Sequence, residues 1–289
     1  MVSRRKFLKR AFYTTAGVAG LGYYSFIHEP AHRLVERNWP LTLEDWPEEA
    51  LPLRIVALSD FHVTNRWMPT DRVAEIAKVA MSLNPGLIVL LGDYLRGLPD
   101  FWVEGAPTIP EWTKALSGLK APLGVYAILG NHDSKKDALR AGFGNIGVPV
   151  LSNNVVRLER GGKHFWLAGL PSQMIGKPDL AGTLSQTDPN EPVILLAHEP
   201  DIFPEVVHTK RKVSLTLSGH THGGQVGVPF LGSVAELMGR KYVHGHYSEN
   251  DRNLIVSGGL GVTRVPVRFM VPPEITVIDL LRPAPKPEA

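Results

Sequence analysis

At 289 residues, 44% of them hydrophobic, the chain is long enough to bury a large core as one domain or two. It contains no cysteine, which excludes a disulfide framework, a thiolate metal site and a cysteine nucleophile; any metal must be held by His, Asp, Glu or Asn. The formal charge is +3, but Arg4, Arg5, Lys6, Lys9 and Arg10 crowd the first ten positions and no acid precedes Glu29. The other 26 basic residues face 28 acidic ones, so the body is slightly acidic and offers nothing to a nucleic-acid scaffold.

The amino terminus reads Ser3-Arg4-Arg5-Lys6-Phe7-Leu8-Lys9, then an uncharged run from Ala11 to Ile27, then His28-Glu29-Pro30. A basic head before a modest apolar run is the layout of an export signal. The paired arginines followed by Phe-Leu-Lys resemble a twin-arginine (Tat) signal. No Ala-x-Ala site follows the apolar run, which as a helix would span about 25 Å, short of a hydrocarbon core of ~30 Å. The resemblance implies the Tat machinery as a partner and a place in the periplasm or cell envelope, with residues 1–28 as signal or membrane anchor. Residues 29–52, with Pro30, Pro40, Pro47 and Pro52, read as a linker or covering arm, and 283–289 as a proline-rich tail.

Between them, 53–282 reads as one domain with a strand-and-helix rhythm. The apolar run 53–59 predicts a buried strand ending at Asp60, and the spacing of Val73, Ile76, Ala77, Ala80 and Leu83 predicts a helix over 71–83, stopped by Pro85. Further strands are predicted at 86–91 and 125–129, and Ser134 to Asp137 resembles a capping box. The second half carries strand patterns at 148–158, 164–169, 193–197, 213–217, 253–257 and 275–280. Parallel strands joined by helices, followed by many strands, predict an α/β fold of two packed mixed sheets flanked by helices.

Polar residues fall where these strands end: Asp60-x-His62, Gly92-Asp93, Gly130-Asn131-His132-Asp133, His198, and Gly219-His220-Thr221-His222. Open α/β sheets bind ligands beyond the carboxyl ends of their strands, so the five clusters can converge on one crevice. Imidazole nitrogen with carboxylate oxygen suits divalent Mn, Fe, Co or Zn, and a carboxylate can bridge two ions. Two dications outweigh two carboxylates and a hydroxide, leaving a positive cluster that attracts a phosphate anion.

In this order the motifs resemble those of the calcineurin-like metallophosphoesterase superfamily over about 53–281. The resemblance implies a four-layer α/β/β/α sandwich and two divalent ions (Mn, Zn or Fe). One ion would be held by Asp60, His62, Asp93 and His222, the other by Asp93, Asn131, His198 and His220. A bridging hydroxide would attack phosphorus in line, with His132 protonating the leaving oxygen or stabilising the transition state and Asp133 orienting its ring. Ala197-His198-Glu199-Pro200-Asp201, the run from Gly219 to Gln225 and Pro272-Pro273-Glu274-Ile275 resemble a bacterial branch of exported or membrane-associated enzymes. That branch implies a phosphodiesterase or phosphatase acting on a phosphate ester. The alternative within it is a UDP-2,3-diacylglucosamine pyrophosphatase, whose nucleotide-sugar-lipid substrate would need an apolar groove; Trp67, Phe101, Trp102 and Trp112 are the aromatic candidates. An alternative of another class is a protein that binds metal or a phospho-ligand without turnover. Neither Gly-x-Ser-x-Gly nor His-Glu-x-x-His occurs, which disfavours a serine hydrolase and a zincin.

Five side chains are left open. His244 and His246 share a face if they lie on a strand, at the mouth of the site or on an exposed hairpin. Gln225 either contacts substrate or closes its loop. Arg264 and Arg268, after the glycine-rich run at 257–261, read as a solvated face, with a phosphate clamp as the other reading.

Overall fold

A computed structural model describes residues 4–282, and the proline-rich tail lies outside the described residues. Among these residues two principal sheets pack face to face. The first orders β1 (Val35–Leu41), β13 (Glu274–Leu280), β2 (Leu53–Leu58), β3 (Leu87–Leu90) and β4 (Val125–Ala127). The second orders β11 (Gly245–Glu249), β12 (Arg252–Val256), β8 (Leu215–Ser218), β7 (Val193–Leu196), β6 (Lys163–Gly169) and β5 (Asn154–Arg160). Helices α3 (Thr70–Ser82), α4 (Ile109–Ala115) and α5 (Lys136–Gly144) cover the first sheet, and α6 (Leu180–Leu184) and α7 (Phe203–His208) the second. A small pair, β9 (Gly227–Val228) and β10 (Gly232–Ser233), leads into α8 (Val234–Leu237). This is the four-layer sandwich that the rhythm and the resemblance predict.

Side-chain alternation along each strand builds the layers. Leu53, Ile55 and Ala57 of β2 point between the sheets, where they join Phe165, Leu167, Ile194 and Leu217. Val56 and Leu58 point the other way, onto Val73, Ile76, Trp112 and Phe143 of the helices. Strands covered on both faces carry unbroken apolar runs, which is why these segments read as buried. Strands β2, β3 and β4 are mutually parallel, as are β6, β7, β8 and β12. Their carboxyl ends therefore gather along one edge of each sheet.

Several local expectations are corrected. Helix α5 begins after Lys135 with no side-chain cap, so Ser134 and Asp137 form no capping box. Within the segment read as an arm, β1 is an edge strand paired in parallel with β13, and Pro40 is tolerated because the edge leaves its missing N–H without a partner to lose. The amino terminus is helical, as α1 (Arg4–Tyr23), a π-helical turn (Tyr24–His28) and α2 (Glu29–His32). No helix among the described residues is long and apolar enough to cross a membrane. In α1 the first two turns carry the five cations, which leaves too short an apolar stretch. That finding overturns the expected placement in the envelope through a membrane anchor, and nothing in the fold supports Tat export. The turn after α1 instead docks on the body: Trp67 Nε1 donates to Phe26 O (2.9 Å) and Arg268 N to Ser25 O (2.9 Å).

Trp112 is fully buried, stacked on Tyr94 at 5.7 Å and edge-on to Phe143 at 5.7 Å. It belongs to the core, not to a substrate groove. Trp112→Ala is expected to cost about 3–5 kcal/mol of unfolding free energy, measured by urea denaturation. A loss under about 1 kcal/mol would mean that the helices do not rest on this ring.

Candidate metal centre

Each candidate ligand sits in a loop that leaves the carboxyl end of a parallel strand. Asp60 and His62 follow β2, Asp93 follows β3, Asn131 and His132 follow β4, His198 follows β7, and His220 and His222 follow β8. Five of them hold the left-handed conformation that side chains with a Cβ seldom adopt: Asp60 (φ 57°), His62 (45°), Asp93 (58°), His220 (71°) and His222 (54°). Backbone bonds between loops impose it: Asp60 N donates to Gly92 O (2.9 Å), His62 N to Asp93 O (3.0 Å) and Gly219 N to His198 O (3.0 Å). Two glycines make room. A Cβ on Gly130 would lie 2.2 Å from Asp93 Oδ1, and one on Gly219 would lie 1.9 Å from Ser59 Oγ.

The loops assemble two groups of donors. Asp60, His62 and His222 form one, and Asp93, His198 and His220 the other; within each, the donor atoms lie within 4.8 Å of one another. Asp93 Oδ2 stands between the groups, 3.5 Å from His62 Nε2 and 3.2 Å from His198 Nε2. On the first side, His222 Nε2 is 3.4 Å from Asp60 Oδ1 and 3.0 Å from His62 Nε2. On the second, His220 Nδ1 is 2.7 Å from Asn131 Oδ1, which brings the amide to the same spot. All seven residues read from the sequence as ligands are thus brought together. Asp60, His62, Asp93, His198 and His222 are buried, while Asn131, His132 and His220 are half-buried toward the opening.

The electrostatics of this cluster favour a cation. Burial pushes the Asp60 carboxyl up to about 6, and Asp93 beside it adds to the rise while His198 opposes it. Burial likewise raises Asp93, but the His198 and His62 imidazoles overcome that and hold it below the usual carboxylate range. Burial lowers His62 to about 4 and His220 to about 3, and takes His222 well below its ordinary value, so these rings are neutral at pH 7. His62 Nδ1 faces Leu95 O (2.8 Å). A carbonyl only accepts, so Nδ1 of this neutral ring carries the hydrogen and Nε2 turns a lone pair toward Asp93 and His222. His198 Nδ1 faces Leu91 O (2.7 Å); its buried Nε2 makes no aligned hydrogen bond but lies 3.2 Å from Asp93 Oδ2. Although burial lowers the pKa of this ring, the Asp93 charge raises it well above its ordinary value, so the ring holds a proton that a cation would displace. A buried imidazole nitrogen without an aligned partner, aimed among carboxylates and other lone pairs, fits a divalent ion on the chemistry of the donors present. The set is a candidate dinuclear site whose metal identity it leaves open.

Asp133 has another role than the one expected. Its carboxylate is fully buried and accepts from Gly130 N (2.8 Å), Asp93 N (2.8 Å), Tyr94 N (2.9 Å) and Leu95 N (3.1 Å). Four amides occupy its two oxygens, so it ties the loop after β3 to the loop after β4 and does not orient the His132 ring. His132 N donates to Asp93 Oδ1 (2.8 Å), and its ring meets His62 edge-on at 4.9 Å. Arg268 is also corrected. It is buried, and its guanidinium donates to the carbonyls of Gly258 (2.9 Å), Gly259 (3.1 Å), Gly261 (2.7 Å) and Val271 (3.0 Å). It is neither a solvated face nor a phosphate clamp. His244 pairs with buried Glu274 (2.8 Å), exposed His246 lies on the β11–β12 hairpin, and the Gln225 amide closes its loop against Thr263.

The donors floor an open cleft of about 420 Å³ whose walls include Met174, Met238, Arg240 and Arg264. The aromatic residues expected to line it lie elsewhere. Trp67 packs against Leu98 and Val103, while Phe101 and Trp102 border a separate cavity of about 650 Å³ with Asn65 and Arg66. Ser59 was not singled out from the sequence; its hydroxyl donates to Asp60 Oδ2 (2.5 Å), steadying the carboxylate. A serine before the Asp-x-His pair was the available signal.

Comparison with known proteins agrees with this geometry. The model of the calcineurin-like phosphoesterase family matches residues 53–224, more than half of the chain. The uncharacterized metallophosphoesterase YkuE of Bacillus subtilis (strain 168) is 36% identical over 96% of this chain and 98% of its own length. Phosphodiesterase YaeI of Escherichia coli (strain K12) is 28% identical over 97% of this chain and 100% of its own. Two donor groups sharing Asp93 at the strand ends of a four-layer sandwich, with a family match across all the strands that carry them, leave one conclusion: the chain belongs to the calcineurin-like phosphoesterases.

Proposed function

We propose that this chain is a metal-dependent phosphodiesterase, cleaving a P–O ester bond by in-line attack of water. The observation that carries the proposal is the shared position of Asp93 between two donor groups on the floor of an open cleft. On this reading Asp60, His62, Asp93 and His222 hold one divalent ion, and Asp93, Asn131, His198 and His220 hold the second. Two such ions supply Lewis-acid polarisation of a phosphoryl oxygen and the charge that makes a water acidic. The rest falls to the chain. His132, half-buried at the opening, is free to give a proton to the leaving oxygen, because its ring is not tied down by Asp133. Arg240 and Arg264 offer the cleft positive charge for the phosphate and for a second anionic group. Asp133 fixes the backbone from which Asp93 projects.

The relative named a phosphodiesterase favours a diester over a monoester. A UDP-2,3-diacylglucosamine substrate calls for an apolar groove beside the metals, and the four aromatic candidates for building one lie elsewhere. A binding protein without turnover leaves an untethered imidazole at the cleft opening without a purpose.

Two tests follow from the roles assigned. With Mn²⁺ and a phosphodiester that has an alkyl leaving group, His132→Ala is expected to lower kcat by about 10²-fold or more while metal content, read by mass spectrometry, stays that of the wild type. The loss should be steeper for an alkyl leaving group than for nitrophenolate, which needs no proton; unchanged turnover would remove the acid role. Asp133→Asn presents one acceptor oxygen and an NH₂ to four backbone amides. The metal-free protein should lose about 2–4 kcal/mol in urea unfolding, and Mn²⁺ affinity should fall with it. If kcat at saturating Mn²⁺ instead fell as far as in His132→Ala with stability intact, Asp133 would be acting on the ring.

A further inference from the structure

Glu29 is a carboxylate in α2, in the stretch before the first strand, and none of its surface is exposed. It touches no candidate ligand. Its oxygens accept from Val271 N (2.8 Å) and Met270 N (3.2 Å), the carboxyl end of the segment that follows β12. That segment is wound around the Arg268 guanidinium, which holds the Gly258, Gly259, Gly261 and Val271 carbonyls and lies 3.3 Å from His222 Nδ1. Its other end rests on the first donor group: Gly261 N donates to Asp60 O (2.7 Å), and Leu260 N to Ser59 O (2.9 Å). A Cβ on Gly259 would come within 2.9 Å of Asp60 Cβ, so the loop presses directly on that residue. Arg268 N in turn donates to Ser25 O, in the same amino-terminal stretch as Glu29.

We propose that Glu29 is a positioning residue for the metal centre, holding the loop over 258–271 and its buried Arg268 against the Asp60, His62 and His222 group. The inference rests on the two-metal reading above. A buried carboxylate needs donors, which Glu29 finds in the Met270 and Val271 amides, and a buried guanidinium needs negative charge nearby, which Arg268 has from Glu274 and Asp60 first and from Glu29 as well. The second donor group has supports of its own in Leu91 O at His198 and Asn131 at His220, and meets the first where His220 N donates to the Asp60 carboxylate (3.0 Å). The effect of Glu29 is therefore selective for one ion. Outer partners of metal ligands commonly change affinity by about 10–100-fold, and Glu29, one step further removed, is expected at the lower end.

The experiment titrates the metal-free full chain with Mn²⁺ alone by calorimetry and records its thermal melting in chelator. Glu29→Gln keeps the size and removes the charge. Trp67→Phe removes the bond to Phe26 O and so loosens the same stretch without touching the Glu29 bonds, while keeping a ring to pack with Val262 of the loop. Expected is a loss of about tenfold in affinity for one of the two ions in Glu29→Gln, the other ion unchanged, and both ions unchanged in Trp67→Phe even where its melting temperature falls. Equal weakening of both ions, or a lowered melting temperature with both affinities within about twofold of wild type, would overturn the proposal. If Glu29→Gln does not fold, Glu29→Asp takes its place under the same criteria, since the shorter carboxylate keeps its charge but cannot span both amides. A wild type that binds no Mn²⁺ would overturn the two-metal reading and this proposal with it. Two ions bound by wild type and variant alike would overturn this proposal alone.

Discussion

Asp93 must face imidazoles from both sheets while its own backbone turns at φ 58°, and most of the local architecture serves that requirement. His62 reaches it from the loop after β2 in the first sheet and His198 from the loop after β7 in the second, so the carboxylate stands at the seam of the sandwich. A side chain at a seam is only as well placed as the two loops that meet there. Asp133 ties the loop after β3, which carries Asp93, to the loop after β4 by accepting amides from both, and Gly130 lets those two approach, since any Cβ would strike Asp93 Oδ1. The charge Asp93 carries is costly to bury alone and useful once a cation shares the space.

The sandwich explains why the donors come from so many places in the chain. Parallel strands release all their connecting loops at one end, and two sheets packed face to face align two such ends. No single segment needs to carry a complete site; each contributes one or two side chains from a rigid strand terminus. Precision then comes from the bonds between loops.

This division of labour decides what could be read from the sequence. The candidate donors were legible because most sit at the end of an apolar run with glycine or a second donor beside them, as in Asp60-x-His62 and Gly219-His220-x-His222. The layers were legible for the same reason, from runs covered on both faces. What could not be read depends on partners far along the chain or on backbone atoms. Asp133 reads as the neighbour of a catalytic histidine, but its partners are mostly amides about forty residues earlier. Arg268 reads as solvated because arginine usually is, and only the carbonyls of the folded loop make its burial acceptable. β1 was obscured by Pro40 and by charged, outward-facing positions, which an edge strand tolerates. Trp112 reads as a groove candidate although Thr108-Ile-Pro-Glu111 carries the capping box that opens α4.

The left-handed backbone at five ligand positions was also invisible, and it has a consequence for how the site can change. Glycine would relieve such strain at each position, since it alone adopts that conformation without cost. Glycine also has no donor atom. Strain and ligation therefore cannot be separated by substitution here; the backbone is held out of its preferred state because the donor must leave the strand at a steep angle to meet the others. Only the surrounding bonds, from Gly92 O to Asp60, from Asp93 O to His62 and from the amides gripped by Asp133, can vary in how firmly they impose it. A centre built this way tunes its metal through the loops that hold the ligands, while the ligands themselves have little freedom to differ.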